Sequence, residues 1–113
     1  MWLVSQILLK TEIMALKLEQ RFGMLQVIGE LHSSNSNILM NHFKTFLSEV
    51  DSIILSLENV SFLDRSSAYS LEQLYQDFAG SNRIIQIIGR SNKEIMNTFI
   101  ETNTTYILSN DRV

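Results

Sequence analysis

The chain has 113 residues, the length of one domain, and its 45% hydrophobic and 19% charged residues, four glycines and absent proline describe a folding chain rather than a disordered one. Nine Lys and Arg against 12 Asp and Glu give a formal net charge of -3. With no basic cluster to follow a phosphate backbone, no nucleic-acid partner is expected. No cysteine is present, which excludes a disulfide framework, a thiolate nucleophile and a Cys-type zinc site, and suits a reducing cytoplasm.

Residues 1–13 are dense in apolar side chains, with Trp2, Leu3, Val4, Ile7, Leu8, Leu9 and Ile13. The stretch is too short to cross a bilayer, and Lys10 follows it instead of preceding it, so neither membrane insertion nor a signal peptide is expected. Three readings fit it: an extension packed on the domain, upstream sequence before a start at Met14, or an amphipathic docking segment. The domain itself is assigned to residues 14–113.

Ala15 to Arg21 alternates, Leu16 and Leu18 against Lys17 and Glu19, as a half-buried strand does. A short turn at Arg21, Phe22 and Gly23 leads to a second strand, Met24 to Gly29, and the close spacing predicts an antiparallel hairpin ended by Gly29. The Ser- and Asn-rich stretch from Leu31 to Asn37 offers helix N-caps ahead of Leu39, Phe43, Phe46, Leu47 and Val50 at helical spacing. Ser52 to Leu57 holds Ile53, Ile54 and Leu55 in succession, a pattern for a central strand covered on both faces.

A turn is expected at Glu58 and Asn59. After Asp64 a second helix carries Ala68, Leu71, Leu74, Tyr75 and Phe78, with Gly80 as its stop signal. Ile84, Ile85, Ile87 and Ile88 predict another buried strand, ended by Gly89. Ser91 and Glu94 have the spacing of a capping box for a third helix bearing Ile95, Met96, Phe99 and Ile100, and Thr105 to Leu108 closes the sheet as a last strand. The predicted order is β-β-α-β-α-β-α-β, an α/β domain with a mixed sheet: an N-terminal antiparallel hairpin, then parallel strands joined by right-handed crossovers through helices.

Two stretches in this order resemble the STAS domain, the module shared by sulphate transporters and anti-sigma-factor antagonists. Val27-Ile28-Gly29-Glu30-Leu31-His32 is similar to the opening of that domain, and Ile53 to Ser66, with Asp64-Arg65-Ser66, is similar to its central strand, turn and Asp-x-Ser loop. The resemblance runs from about Ala15 to Leu108. It implies a non-enzymatic module that binds another protein, with Ser66 at the position that a partner kinase phosphorylates in the antagonists. The docking surface it implies includes Asp64, Arg65, Ser66 and Ser67, and Tyr69, which falls off the apolar stripe of the second helix, is expected to be exposed beside Ser66 and to join it. Where the family commonly has Asp-Ser-Ser-Gly or Asp-Ser-Thr-Gly, Arg65 replaces the first hydroxyl residue and Ser67 the glycine.

The resemblance implies a cytoplasmic protein whose partner is an anti-sigma-factor serine kinase. Ser66-Ser67-Ala68 also resembles the loop of some transporter STAS domains, for which the partner is the membrane domain of a sulphate-permease-type transporter. A phosphate at the start of a helix meets free N–H groups and the positive end of the helix dipole, and Arg65 is a pairing group beside it. The local alternative is that Asp64, Ser66 or Ser67 only caps the helix.

Other chemistry finds little support in the residues. His32 and His42, with Glu30 nearby, lack a metal-ligand spacing, no G-x-S-x-G elbow accompanies Ser66, and the glycines at 23, 29, 80 and 89 stand singly, so no catalytic residue, metal or cofactor is assigned.

Overall fold

A computed structural model describes residues 10–13, 15–21 and 23–109. Five strands form one sheet in the order β1-β2-β3-β4-β5: β1 (Lys10–Ile13), β2 (Leu16–Arg21), β3 (Met24–Leu31), β4 (Ser52–Leu63) and β5 (Ile84–Ile88). Strand β2 is antiparallel to both of its neighbours, β1 and β3, and β3, β4 and β5 run parallel. Helix α1 (Ser36–Phe46) links β3 to β4, α2 (Arg65–Gly80) links β4 to β5, and α3 (Lys93–Glu101) follows β5. This is the mixed α/β architecture expected from the periodicity. Strand β1 adds an edge from within residues 1–13, whose first nine residues lie outside the described ones.

Both crossovers step the same way along the sheet, from β3 to β4 to β5. Right-handed connections of that kind put α1 and α2 on one face. Helix α3 returns over β4 and packs against α2, so the helices share a single layer. Their apolar stripes meet alternate strand residues: Leu39 and Phe43 of α1, Leu71 and Phe78 of α2, and Ile95 and Phe99 of α3 lie over Leu18, Val27, Leu55, Leu57, Ile85 and Ile87. The rings of Phe43 and Phe78 meet edge to face at 5.8 Å, joining α1 to α2. The expectation that β4 and β5 are covered on both faces is therefore corrected. Ile54 is only partly buried and Ile84 is 65% exposed, because no helix among the described residues crosses to their side.

Several boundaries differ from the sequence expectation for local reasons. The turn expected at Glu58 and Asn59 is extended strand: β4 continues to Leu63 and absorbs two extra residues relative to β3, between Ser56 and Asn59 and between Val60 and Phe62. Asn92 holds the first irregularity. Its buried amide donates to the carbonyls of Leu57 and Val60, both at 2.8 Å, while its carbonyl accepts from Glu94 N at 3.0 Å and caps α3. The cap is thus Asn92, not the Ser91–Glu94 box.

Gly29 does not end β3. With φ at 102° it makes room for the turn between β1 and β2, where a Cβ would lie 2.1 Å from the Ala15 carbonyl oxygen that accepts from Glu30 N. Helix α2 does end at Gly80, but Gly80 is not the left-handed residue that closes it. Asn82 takes the left-handed conformation at φ 61°, and Arg83 N reaches back to Phe78 O at 3.0 Å, a Schellman closure. Asn103 at φ 58° closes α3 in the same manner, with Thr104 N on Phe99 O.

The last expected strand contracts to a 3-10 turn, Thr105–Ile107, and one parallel bridge from Leu108 to Ile87. Tertiary contacts override strand propensity there: Tyr106 stacks edge to face on Tyr75, and its hydroxyl donates to Glu72 at 2.5 Å, which draws the turn against α2.

His42 sits on the core side of α1, 7% exposed, with Nε2 2.7 Å from Gln20 Oε1, and burial holds its pKa below the ordinary 6.5. Between the folded value and 6.5 the unfolded chain binds the extra proton, so stability is full above pH 6.5 and falls as the pH drops below it. Urea titrations between pH 7 and 5 should show this slope, and His42→Gln should flatten it. Asn92→Ala should cost about 2–4 kcal/mol in the same assay, from the lost cap and two buried carbonyls left without donors.

Candidate functional site

The loops after β3 and β4 lie side by side, since Leu31 pairs with Leu63 and Asp64 N donates to Leu31 O at 3.3 Å. The Asp64 carboxylate ties them together. Its Oδ1 accepts from Ser67 N at 2.8 Å, capping α2, and its Oδ2 accepts from Ser33 N at 2.9 Å across the gap. Partial burial acts to raise the Asp64 pKa, but the Ser67 and Ser33 donors and nearby His32 outweigh it and hold the group below its ordinary value.

The neighbouring loop is shaped by Asn35. Expected only as one of several N-cap candidates for α1, its side chain makes no capping bond; fully buried, it accepts from His32 N at 3.0 Å and donates to Glu30 O at 3.1 Å. That closes residues 30–35 into a compact turn. His32 is oriented by Ser34 Oγ at 2.7 Å from Nδ1, stands 3.7 Å from Glu30 through Nε2, and leans toward the ring of Phe62. Phe62, outside the sequence-expected set, is 48% exposed. His42 is bonded to Gln20 instead, and among the described residues no group of three His, Cys, Asp or Glu is placed to hold a metal ion.

The five residues singled out in the sequence all fall in the cap and first two turns of α2, in different environments. Arg65 is exposed and its Nε and Nη2 both reach Glu101 Oε1 at 3.3 Å, linking the start of α2 to the end of α3. Ser66 is exposed. Ser67 is fully buried; its hydroxyl adds to the acidity of Asp64 without attaining hydrogen-bond geometry to any partner. Tyr69, one turn beyond Arg65, is 51% exposed.

Thr98 completes the frame by donating from Oγ1 to Leu63 O at 2.8 Å, which pins the end of β4 to α3. The arrangement is a hydrogen-bonded platform presenting the Ser66 hydroxyl, the paired Arg65 cation and the aromatic side chains of Phe62 and Tyr69 to solvent. Sequence reasoning missed Ser33, Asn35, Phe62, Glu101 and Thr98. The pairing of Leu31 with Leu63 is what brings them near, and only Ser33 and Asn35 lay in a stretch already marked as capping.

The STAS domain family model matches residues 14–99. Among solved structures, the chain is similar to the anti-sigma factor antagonist SpoIIAA in its unphosphorylated form, with a TM-score of 0.65 at 17% identity over 84% of this chain and 86% of that one. A comparison with curated proteins gives no match.

Asp64→Ala should lower stability by about 1–2 kcal/mol through loss of the cap and release the loop at Ser33, seen as faster amide exchange of Ser33 and Ser67. Because its folded pKa is depressed, the charged carboxylate contributes above about pH 3.8, and the contribution is lost as the pH falls from there through the folded value. Asp64→Asn should keep the cap and remove that acid dependence.

Proposed function

The chain belongs to the STAS family, and on that premise we propose that it is a non-enzymatic regulatory module of the antagonist type, acting in the cytoplasm by binding a protein partner through the first turn of α2. The observation that carries this reading is the exposure of Ser66 between exposed Arg65 and Tyr69 on a platform fixed by the Asp64, Asn35 and Thr98 hydrogen bonds. A preformed surface spares a partner the cost of ordering loops, and a half-exposed tyrosine beside an arginine has the composition of a binding hot spot.

Ser66 suits a switch on physical grounds. A phosphate there adds a charge of about -1.5 to -2 near N–H groups that have no intrahelical acceptor. It would face repulsion from Asp64 and compete with Glu101 for Arg65, so modification would remodel the link between α2 and α3 as well as the surface charge. The partner class most consistent with the antagonist reading is an anti-sigma-factor serine kinase. The second reading, a regulatory domain of a sulphate-permease-type transporter, is favoured by Ser66-Ser67-Ala68, which lacks the glycine common in antagonists. In that case the same surface meets the transporter's membrane domain.

The test begins with intact-mass and peptide mass spectrometry on protein from its native cells, where phosphate on Ser66 is expected. The partner retained by the unmodified chain is then titrated calorimetrically. Arg65→Ala and Tyr69→Ala should each weaken binding about tenfold, near the 1.4 kcal/mol of a modest hot spot, and Ser66→Asp by more. Binding unchanged by all three variants would remove the surface assignment.

A further inference from the structure

Three side chains at the end of β3 and in the turn after it stand in an order that activates a hydroxyl. Ser34 Oγ lies 2.7 Å from His32 Nδ1, and His32 Nε2 lies 3.7 Å from Glu30 Oε1. For Nδ1 to accept from the serine, the proton of the neutral imidazole must sit on Nε2, and the Glu30 carboxylate favours that tautomer. A nucleophile, a base and a third group that orients the base make up the arrangement by which weak hydroxyl nucleophiles become reactive. Asp64, on the adjoining loop, is a second carboxylate within electrostatic reach of His32. Both carboxylates favour the imidazolium that forms when the serine gives up its proton.

The turn holds these groups in place. Buried Asn35 accepts from His32 N and donates to Glu30 O, while His32 O accepts from Asn35 N at 2.9 Å and Ser36 N at 2.8 Å. Ser34 itself is exposed, and its backbone N–H has no acceptor among the described residues. A free donor at the nucleophile is suited to the negative charge that develops on the carbonyl oxygen in acyl transfer. Phe62, 48% exposed with its ring centroid 6.4 Å from that of His32, offers an apolar surface to an acyl group. Ser66 is equally open to solvent but bonds to neither histidine, since His32 holds Ser34 and His42 holds Gln20.

We propose that Ser34 is an acyl-acceptor site, with His32 as its general base and Glu30 as a positioning residue, and that its donor is an activated ester or thioester of a small apolar acid. Ser34 Oγ attacks the acyl carbonyl carbon while its proton passes to His32 Nδ1. The tetrahedral adduct then breaks its bond to the leaving group, which departs as the alcohol or thiol with that proton. The products are an ester on Ser34 and a neutral imidazole. The step is complete with one acyl group per chain and stands independently of the partner-binding reading.

The probe is p-nitrophenyl acetate on the full chain, with phenolate release followed by absorbance and the acetyl group located by peptide mass spectrometry. Acetyl is expected on Ser34 ahead of Ser66, which serves as the internal reference. Ser34→Ala should abolish that label, and His32→Gln should slow it about a hundredfold, the lower end of general-base effects, with the urea midpoint unchanged. Glu30→Gln should slow it several-fold and Glu30→Asp restore part of the loss. Acetyl confined to lysines and the amino terminus, Ser34 labelled no faster than Ser66, or labelling of Ser34 at an unchanged rate in His32→Gln would overturn the proposal.

Discussion

Strand β4 has parallel neighbours on both sides and still gains two residues on β3 before it ends, and the molecule is organised around making that possible. A buried strand cannot slip its register without leaving carbonyls unpaired, and such a group costs about 1–3 kcal/mol when nothing replaces its partner. Here the replacement comes from α3. Asn92 serves Leu57 and Val60, and Thr98 serves Leu63, so the last helix is fixed to the central strand by donors as well as by Ile95 and Phe99. Polar satisfaction and apolar packing thus act at the same contact.

That anchoring decides where the candidate surface lies. Extra residues in β4 carry its end to Leu63 alongside Leu31, and the two loops that follow emerge together at the carboxyl ends of parallel strands, the usual location of sites in α/β sheets. Asp64 then joins the loops through one carboxylate, and Asn35 fixes the shape of its neighbour. Arg65 and Glu101 extend the connection to α3 on the outside, in water, where an ion pair contributes little to stability and is easily redirected by a new charge. The buried parts of the platform are rigid for that reason, and its outer parts are open to exchange.

The fold was legible where periodicity decides it. Leu16 and Leu18, the helical stripe of Leu71, Leu74 and Phe78, and the parallel crossovers follow from spacing alone. What spacing does not carry is which face a crossover covers: the run Ile53-Ile54-Leu55 looks the same whether one side or both are buried, and only the common direction of the two steps exposes Ile54 and Ile84. Turn chemistry misled at Gly80 and Ser91 because Asn82 and Asn92, one or two residues away, perform the closure and the cap. At the site, Asp64 and Ser66 were found through a resemblance of motif, whereas Ser33, Glu101 and Phe62 enter through contacts 31 to 36 residues apart or through exposure, which no local pattern encodes.

The spatial order of the strands repeats their order along the chain, so each strand hydrogen-bonds only to those made just before and just after it. No pairing has to wait for a distant part of the polypeptide, and loop closure for each step is limited to a tight turn or one helix. A ribosome releasing this chain from its N-terminus supplies every strand with its template already in place. The sheet is suited to growing outward from the β2–β3 hairpin during synthesis, with α3 arriving last to lock β4.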